Sequence, residues 1–417
     1  MSRHLLLVTA LLLPAAGCIH ASRVGQRPVE PPKSFQARAS KKDAPKVGRF
    51  WRLFKDPALN KLVDRALERN LDLVTAGLRV EEAGAMLVTS RSGWFPTMVG
   101  KGDVSRSAST LTIPDLGQGG GNTTREVTSS RYSLSLQVSY EIDLWGKVRY
   151  GHQAAKESLR ASQEDLQAAR ISVAATLTDA YFTAVELRAQ VALVKETIVA
   201  REKNLTVVDR RYREGLSTSL ALYQARDSLA AVAATLPTLE GRLRTTEHAI
   251  SVLVGDFPGE SIAGSLEQLP APMRELPAGV PAQLIQRRPD LRAAHARLAA
   301  ADALVGKAFA AHFPSLNIGG SIGVSFDPTS FIWSVLAGLT APIFNGMAIS
   351  AEVDRQEARF KQALAAYKKT LLQAVQEVED ALVTGEKLLE REKRLRDRVT
   401  NAEAMMRLAV EQYLQGL

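Results

Sequence analysis

The sequence has few of the features that anchor a chain covalently or through a hydrophobic helix. Its 417 residues include one cysteine, Cys18, so no intramolecular disulfide can form. Beyond the N-terminal segment, no apolar run reaches the ~18 uninterrupted residues that a membrane-spanning helix needs. If the mature polypeptide enters a membrane, it must therefore do so as β-strands closed into a barrel.

Patterns of catalysis and of nucleic-acid binding are also missing from the sequence. There is no glycine-rich phosphate loop, and charges of both signs alternate along stretches such as 386–398, although the net charge is +9. Six histidines are scattered without metal-ligand spacing: His4, His20, His152, His248, His295 and His312. We therefore predict no enzymatic activity, no cofactor, no metal and no nucleic-acid partner.

The N-terminus has the pattern of a bacterial export signal. Arg3 precedes the apolar run 5–13, and the small residues of 15–17 come directly before Cys18. The Ala-Ala-Gly-Cys sequence also resembles a lipobox, in which the cysteine is acylated after cleavage. We predict removal of residues 1–17 and lipidation of Cys18; an ordinary secretory signal with a chance cysteine is the alternative.

An internal repeat organises the rest of the chain. Phe95-Pro96 matches Phe313-Pro314 at an offset of 218, whereas Tyr212, Gly215 and Leu216 match Tyr413, Gly416 and Leu417 at an offset of 201. The offset changes in the middle of each copy, where the first copy carries a Gly/Thr/Ser-rich stretch, 108–130, that we interpret as an exposed loop. Each copy is expected to contain a helix, two strands and a long helix.

The first helix of copy one is predicted over 57–91, with Asp56 as its N-cap. The first strand is predicted over 97–106. From Tyr132 to Tyr140, apolar residues alternate without a break with serine and glutamine, and 315–326 repeats this pattern with serine, asparagine and glycine. A weaker strand is predicted over 333–339. Alternation with small polar residues is typical of a membrane barrel strand, although a soluble sandwich with one wet face remains possible.

Four strands per chain cannot close a barrel by themselves, because known barrels need about eight or more. An open sheet edge in lipid leaves backbone groups unsatisfied at several kcal/mol each. Strands that span a bilayer therefore require an oligomer. Two chains give eight strands and a filled interior, whereas three give twelve strands and a passage.

Long helices follow each strand pair. Apolar residues between 159 and 205 recur at steps of three, four and seven, which predicts a sustained heptad pattern over 151–211, and copy two repeats it over 360–389. Copy one turns at Gly215-Leu216-Ser217, with Gly215 as a C-cap and Ser217 placed to cap the next helix. A return helix is expected over 220–254.

Several stretches resemble the signature segments of the TolC (outer-membrane factor, NodT-type) family of efflux lipoproteins, and the resemblance extends over essentially the whole mature chain. They are Trp51-Arg-Leu-Phe-Lys-Asp-Pro-Ala-Leu59, Ala66-Leu-Glu-Arg-Asn-Leu-Asp-Leu73, Phe95-Pro96, Tyr140-Glu-Ile-Asp-Leu-Trp-Gly-Lys147, Arg287-Arg-Pro-Asp-Leu291 and Pro342-Ile-Phe-Asn-Gly346. The resemblance implies an α+β fold, in which long coiled-coil hairpins form an α-helical barrel and each protomer of a homotrimer contributes four strands to a transmembrane β-barrel.

The same resemblance implies the function and the partners. The chain is expected to be the outer-membrane channel of a tripartite pump that exports drugs or other small toxic compounds. Its expected partners are outer-membrane lipid, a periplasmic adaptor and an inner-membrane resistance-nodulation-division pump. Carried over by position, the adaptor contacts are Gly215, Leu216, Ser217, Gly416 and Leu417. A type I protein-secretion duct on the same fold and a periplasmic coiled-coil adaptor or structural protein are the alternatives.

The resemblance and the repeat together predict the following segments: a signal peptide at 1–17, an acylated extended segment at 18–56, a first repeat at 57–255, a linker at 256–282 and an incomplete second repeat at 283–417. Copy one continues past Gly215 into its return helix, whereas copy two stops at Leu417, the counterpart of Leu216. We therefore expect the chain to be truncated relative to the family.

Overall fold

The computed structural model describes residues 48–114, 122–259, 287–326 and 329–414. Cys18, Gly416 and Leu417 lie outside these ranges, as do the signal peptide and most of the linker predicted above. The chain divides into two compact units. One contains Glu81–Ala161 and Ala294–Tyr367, and the other contains the described parts of Val29–Val80, Ser162–Ala293 and Lys368–Leu417.

The N-terminal part is helical. After a short 3-10 helix, Phe50–Phe54, come α1 (Pro57–Arg69) and α2 (Leu71–Arg91). Asp56 is the N-cap of α1, as predicted, and its carboxylate accepts a hydrogen bond from the amide of Ala58 at 2.8 Å.

The prediction of one helix over 57–91 is wrong, because Asn70 breaks it. Asn70 is extended (φ −60°, ψ 126°), and its Oδ1 accepts from the amides of Asp72 and Leu73, at 3.0 and 3.2 Å. A short amide side chain that binds nearby backbone groups competes with helix continuation and caps a new helix instead. The Nδ2 of Asn70 donates to the carbonyl of Leu253 at 2.9 Å. Asn70 therefore also binds a helix that is distant in sequence.

The sheet has four antiparallel strands in the order β1-β2-β3-β4. Their bounds are β1 Thr97–Pro114, β2 Asn122–Ile142, β3 Ser315–Phe326 and β4 Thr329–Thr340. The first two strands are longer than predicted, and much of the expected loop over 108–130 is paired β-structure, from Ala108 opposite Thr128 to Pro114 opposite Asn122. Cross-strand pairs of threonine and serine favour a sheet where composition alone indicated a loop.

Two helices of 67 residues follow the two hairpins: α3 (Lys147–Arg213) and α7 (Ala348–Leu414). Their bounds differ by the repeat offset of 201 at both ends. At about 1.5 Å per residue, each is about 100 Å long. The helix α6 (Pro289–Ala310) precedes the second hairpin as α2 precedes the first.

The return segment after α3 is two helices and not one as predicted: α4 (Ser219–Ala233) and α5 (Leu236–Val254). Pro237 explains the break, because a proline lacks the amide hydrogen and its ring clashes with the carbonyl four residues earlier. That carbonyl belongs to Ala233, where α4 ends. α5 ends at Val254 and is capped by Gly255, whose φ of 85° favours a residue without a side chain.

Each unit has its own apolar core. In the helical unit, α1, the middle of α3 and the end of α5 bury a large cluster that includes Leu59, Leu177 and Ile250, each at most 1% exposed. In the unit that carries the sheet, α6 packs on α7 through Leu298, Val305 and Phe360. The predicted heptad pattern of α3 is mostly buried from Val173 to Val191. Its later positions, Val194, Ile198 and Leu205, are partly buried.

Candidate functional site: a two-faced sheet and a helical turn

One face of the sheet is apolar across all four strands. Residues that pair across antiparallel strands share a face, so the rows of this face follow from the register. Four consecutive rows contain only apolar residues and glycine: Val104 and Tyr132; Gly102, Leu134, Val324 and Phe331; Gly100, Leu136, Ile322 and Trp333; Met98, Val138, Gly320 and Val335. Most of the large side chains are exposed, from Leu136 at 40% to Val335 at 78%. An exposed apolar surface of this extent marks contact with lipid or with another protein.

The opposite face is polar and built mainly from small residues. Its rows include Lys101, Ser135, Gly323 and Ile332, then Asp103, Ser133, Ser325 and Ser330, and also Val99, Gln137, Ser321 and Ser334. The hydroxyls of Ser321 and Ser334 are hydrogen-bonded at 2.8 Å. Sequence reasoning did not single out Lys101 and Asp103, although two charges two residues apart on a strand must share a face.

The apolar face has the height of a bilayer. It extends along β2 from Tyr132 to Ile142, a span of about 34 Å at about 3.4 Å per residue. If the strands are tilted by about 40°, as in outer-membrane barrels, this length corresponds to a height of about 26 Å along the membrane normal. That height is close to the ~25 Å apolar band of such barrels. Beyond Tyr132, residues 105–114 of β1 pair with residues 122–131 of β2, and this part of β2 pairs with no other strand of the described chain. We call these two segments the outer ribbon.

The two outermost strands, β1 and β4, each pair on one side only. Within the described chain the sheet is therefore open, and the free edge of β1 is 18 residues long against 12 for β4. Long unpaired strand edges of this kind are templates for pairing with another chain.

Aromatic side chains fix the junction between the sheet and the helices. The indole nitrogen of Trp145 donates to the carbonyl of Pro314 at 2.6 Å, and its ring stacks on Phe313 with a centroid distance of 4.9 Å. Tyr150 at the start of α3 lies on Gly306 of α6, where a Cβ would come within 3.0 Å of the ring. Two hairpins that are separated in sequence are therefore held together at their helical ends.

The predicted turn lies at the end of α3. Gly215 has φ 77°. Its amide donates to the carbonyl of Tyr212 at 3.0 Å, and the amide of Leu216 donates to the carbonyl of Arg211 at 2.7 Å. These are the two hydrogen bonds of a Schellman cap. Ser217 does not cap the next helix as predicted; Thr218 does, with its hydroxyl accepting from Ala221 at 3.2 Å. Leu216 is 65% exposed. The structure therefore brings Gly215, Leu216 and Ser217 together in one exposed turn, while Gly416 and Leu417 lie outside the described residues.

Two charged contacts that the sequence did not reveal join distant helices. Glu247 of α5, with 6% of its side chain exposed, binds Arg188 of α3 at 2.9 Å, and Arg244 lies 3.6 Å away. Arg288 binds both Asp290 and Glu377 at 2.7 Å. Burial raises the pKa of the Asp290 carboxyl, but the hydrogen bond and charge of Arg288 outweigh burial and hold that pKa below its ordinary value. Glu377 is therefore part of a structural ion-pair network.

Among the described residues, no helix is long and apolar enough to cross a membrane. Over the same ranges, no three or more histidine, cysteine, aspartate or glutamate side chains are grouped in a way that could hold a metal ion.

Comparisons with known proteins agree with this geometry. The family model described as "Outer membrane efflux protein" matches residues 62–256 and 280–417. The outer membrane protein OprJ of Pseudomonas aeruginosa is 32% identical, over 98% of this chain and 87% of OprJ. The probable outer membrane lipoprotein SilC of Salmonella typhimurium is 27% identical, over 89% of this chain and 81% of SilC. The open-state crystal structure of the MtrE outer membrane channel of Neisseria gonorrhoeae has a TM-score of 0.78 at 27% identity, over 95% of this chain and 89% of MtrE.

A sheet with an apolar and a polar face, joined to two long helices, defines an α+β outer-membrane channel protein. The chain belongs to the outer membrane efflux protein family, and it is the outer-membrane component of an efflux pump. The predicted family resemblance and fold class are thereby confirmed. The family consists of channel components and is not an enzyme family.

Proposed function

We propose that three copies of the chain close a twelve-stranded barrel through which small toxic compounds leave the cell. The observation that carries this proposal is the four-stranded sheet with one apolar face and two unpaired edges. Pairing of β4 with β1 of the next copy satisfies both edges, and three copies give a barrel wide enough to leave a passage. The apolar face then contacts lipid, and the polar face lines the passage.

The remaining segments fit this assembly. We propose that residues 1–17 are cleaved and that Cys18 carries the lipid, as the name of the related SilC indicates for that protein. Residues 18–56 then connect the lipid to the first repeat, 57–255. The segment 256–282 links it to the second repeat, 283–417.

We further propose that the turn Gly215-Leu216-Ser217 is a docking point for a periplasmic adaptor, which links the channel to an inner-membrane resistance-nodulation-division pump. Leu216 is exposed at the end of a 67-residue helix, and Tyr212, 42% exposed, lies one turn before it. An apolar side chain held in a rigid cap is a suitable anchor for a protein contact, because little conformational freedom is lost on binding.

Native mass spectrometry of the full chain, extracted in mild detergent, tests the assembly. The expected main species contains three copies. Single copies or pairs as the main species would contradict the proposal, because neither gives a twelve-stranded barrel. A strain that lacks the gene should also accumulate a fluorescent efflux substrate and should recover export when the chain is expressed.

The docking point is tested by Leu216→Asp, with the volume-conserving Leu216→Met as its matched control. Both variants keep Gly215 and hence the cap, so both should form trimers. Leu216→Asp should lose crosslinking to the adaptor and drug resistance, because an unpaired carboxylate is buried in the contact. If a trimeric Leu216→Asp variant keeps both, the turn has no docking role.

A further inference from the structure

The polar face of the sheet carries very few charges. In the rows between Val99 and Ser105 of β1, the charged side chains are Lys101 and Asp103 on β1 and Arg131 on β2. All three are exposed. No ion pair ties any of them to another side chain in the described part of the chain. The other positions in these rows are mainly serine, glycine and glutamine.

These three charges lie in neighbouring rows. Lys101 is opposite Ser135, Asp103 is opposite Ser133, and Arg131 is opposite Ser105, so the signs alternate as positive, negative, positive towards the outer ribbon. Adjacent rows on one face are about 7 Å apart. Two positive charges against one negative give each copy a net charge of +1 in this region.

We propose that Lys101, Asp103 and Arg131 make the outer half of the passage selective for anionic over cationic compounds. This inference rests on the proposed function, because it requires the polar face to line a passage formed by three copies. Each copy then contributes its three charges to the same narrow lumen, with a net charge of +3. Low-dielectric walls focus the field of such charges and raise the local concentration of ions of opposite sign.

The three side chains have distinct roles in this selectivity. Of the three charges, Lys101 lies nearest the helical end, because β1 begins at Thr97. Glu141, closer still to that end on the same face, is paired with Lys147 at 3.0 Å. Asp103 weakens the field of both neighbours, since it lies within a Debye length, about 10 Å at 0.1 M salt, of each. Removal of Asp103 should therefore increase anion preference, and removal of either cation should reduce it.

A cysteine reporter measures this field directly. Ser135→Cys places a thiol opposite Lys101 on the polar face, and the wild-type chain, whose only cysteine is Cys18, gives the background. The purified trimer is treated with two thiol reagents of similar size, sulfonatoethyl and trimethylammonioethyl methanethiosulfonate. Their rate ratio at the protein, divided by the ratio for a free thiol, reports the sign of the local potential.

The anionic reagent should be favoured at Ser135→Cys. Lys101→Gln should lower the anion-to-cation ratio by about fourfold, because a unit charge about 5 Å away in water, screened over a Debye length of about 10 Å, changes each rate by about twofold in opposite directions. Asp103→Asn should raise the ratio. Ser139→Cys is the matched control, since it is on the same face but about 14 Å from Ser135, beyond one Debye length. Lys101→Gln should leave its ratio unchanged.

Leu136→Cys on the apolar face separates failure of this inference from failure of the proposed function. If Leu136→Cys reacts as fast as Ser135→Cys, the apolar face is not covered by lipid or detergent and the proposed barrel is wrong. If Ser135→Cys reacts and Leu136→Cys does not, the barrel stands. In that case, the charge selectivity alone is overturned if the anion-to-cation rate ratio at Ser135→Cys equals the free-thiol value. It is also overturned if Lys101→Gln does not change that ratio.

Discussion

An arginine at Leu136 is the sharpest test of which face of the sheet meets lipid. Leu136 is at the centre of the apolar face, in the row Gly100, Leu136, Ile322 and Trp333, and no polar side chain of that row could bind a guanidinium. At the midplane of a bilayer, an arginine on the lipid face of a barrel costs about 2–4 kcal/mol. Because three copies carry the change, the proposed trimer should lose about 6–12 kcal/mol.

The neighbouring Gln137 supplies the matched control. Its side chain is on the polar face, between Val99 and Ser321, so an arginine there enters the passage. Ser135 is a poorer control because Lys101 lies opposite, and a second cation at that position adds repulsion between like charges. Gln137→Arg should therefore change stability by about 0.5 kcal/mol or less per copy.

Urea titration of the protein in lipid vesicles measures the difference, with folding followed by the heat-sensitive mobility shift on gels. Leu136→Ala, which removes the side chain without adding charge, corrects for lost packing. Equal losses for Leu136→Arg and Gln137→Arg would show that the sheet does not lie in a bilayer in this orientation.

Three further predictions concern other parts of the chain. Metabolic labelling with palmitate should mark the wild type, and label that persists in Cys18→Ser would refute acylation at that residue. Asn70→Ala should lower the free energy of unfolding by about 1–3 kcal/mol, because it removes the α2 cap and the hydrogen bond to Leu253. The control Thr75→Ala, which removes an exposed hydroxyl, should lower it by less than about 0.5 kcal/mol. Equal urea midpoints for the two variants would contradict the capping role of Asn70. Arg188→Met should destabilise the protein by about 2–4 kcal/mol because Glu247 remains buried, and thermal unfolding should show partial recovery when Glu247→Leu is added.

Helices and strands whose apolar residues recur at regular spacing were predictable from the sequence. The alternation from Tyr132 to Tyr140 located the C-terminal half of β2, and the repeat offset of 201 matches both ends of α3 and α7. These features depend on the periodic burial of one face, which a single sequence records directly. The turn at Gly215 was also predictable, because a positive φ at a helix end favours glycine.

Features that depend on distant partners were not predictable. Asn70 resembles any polar residue on a helix until its contact with Leu253, 183 positions away, is known. The outer ribbon was interpreted as a loop because serine and threonine occur in both settings, and only cross-strand pairing distinguishes them. The ion pair between Arg188 and Glu247 similarly joins helices that the sequence does not place side by side.

The unequal hairpins have a consequence for symmetry. Two repeats in each of three copies give the proposed assembly a pseudo-sixfold arrangement of hairpins and long helices, and α3 and α7 are equal in length, 67 residues each. The hairpins differ, because β1 and β2 have 18 and 21 residues while β3 and β4 have 12 each. At the outer rim the sixfold relation is therefore lost, and three pairs of long strands alternate with three pairs of short strands. In the proposed assembly, a ligand that recognises the outside of the cell envelope therefore encounters three equivalent sites and not six.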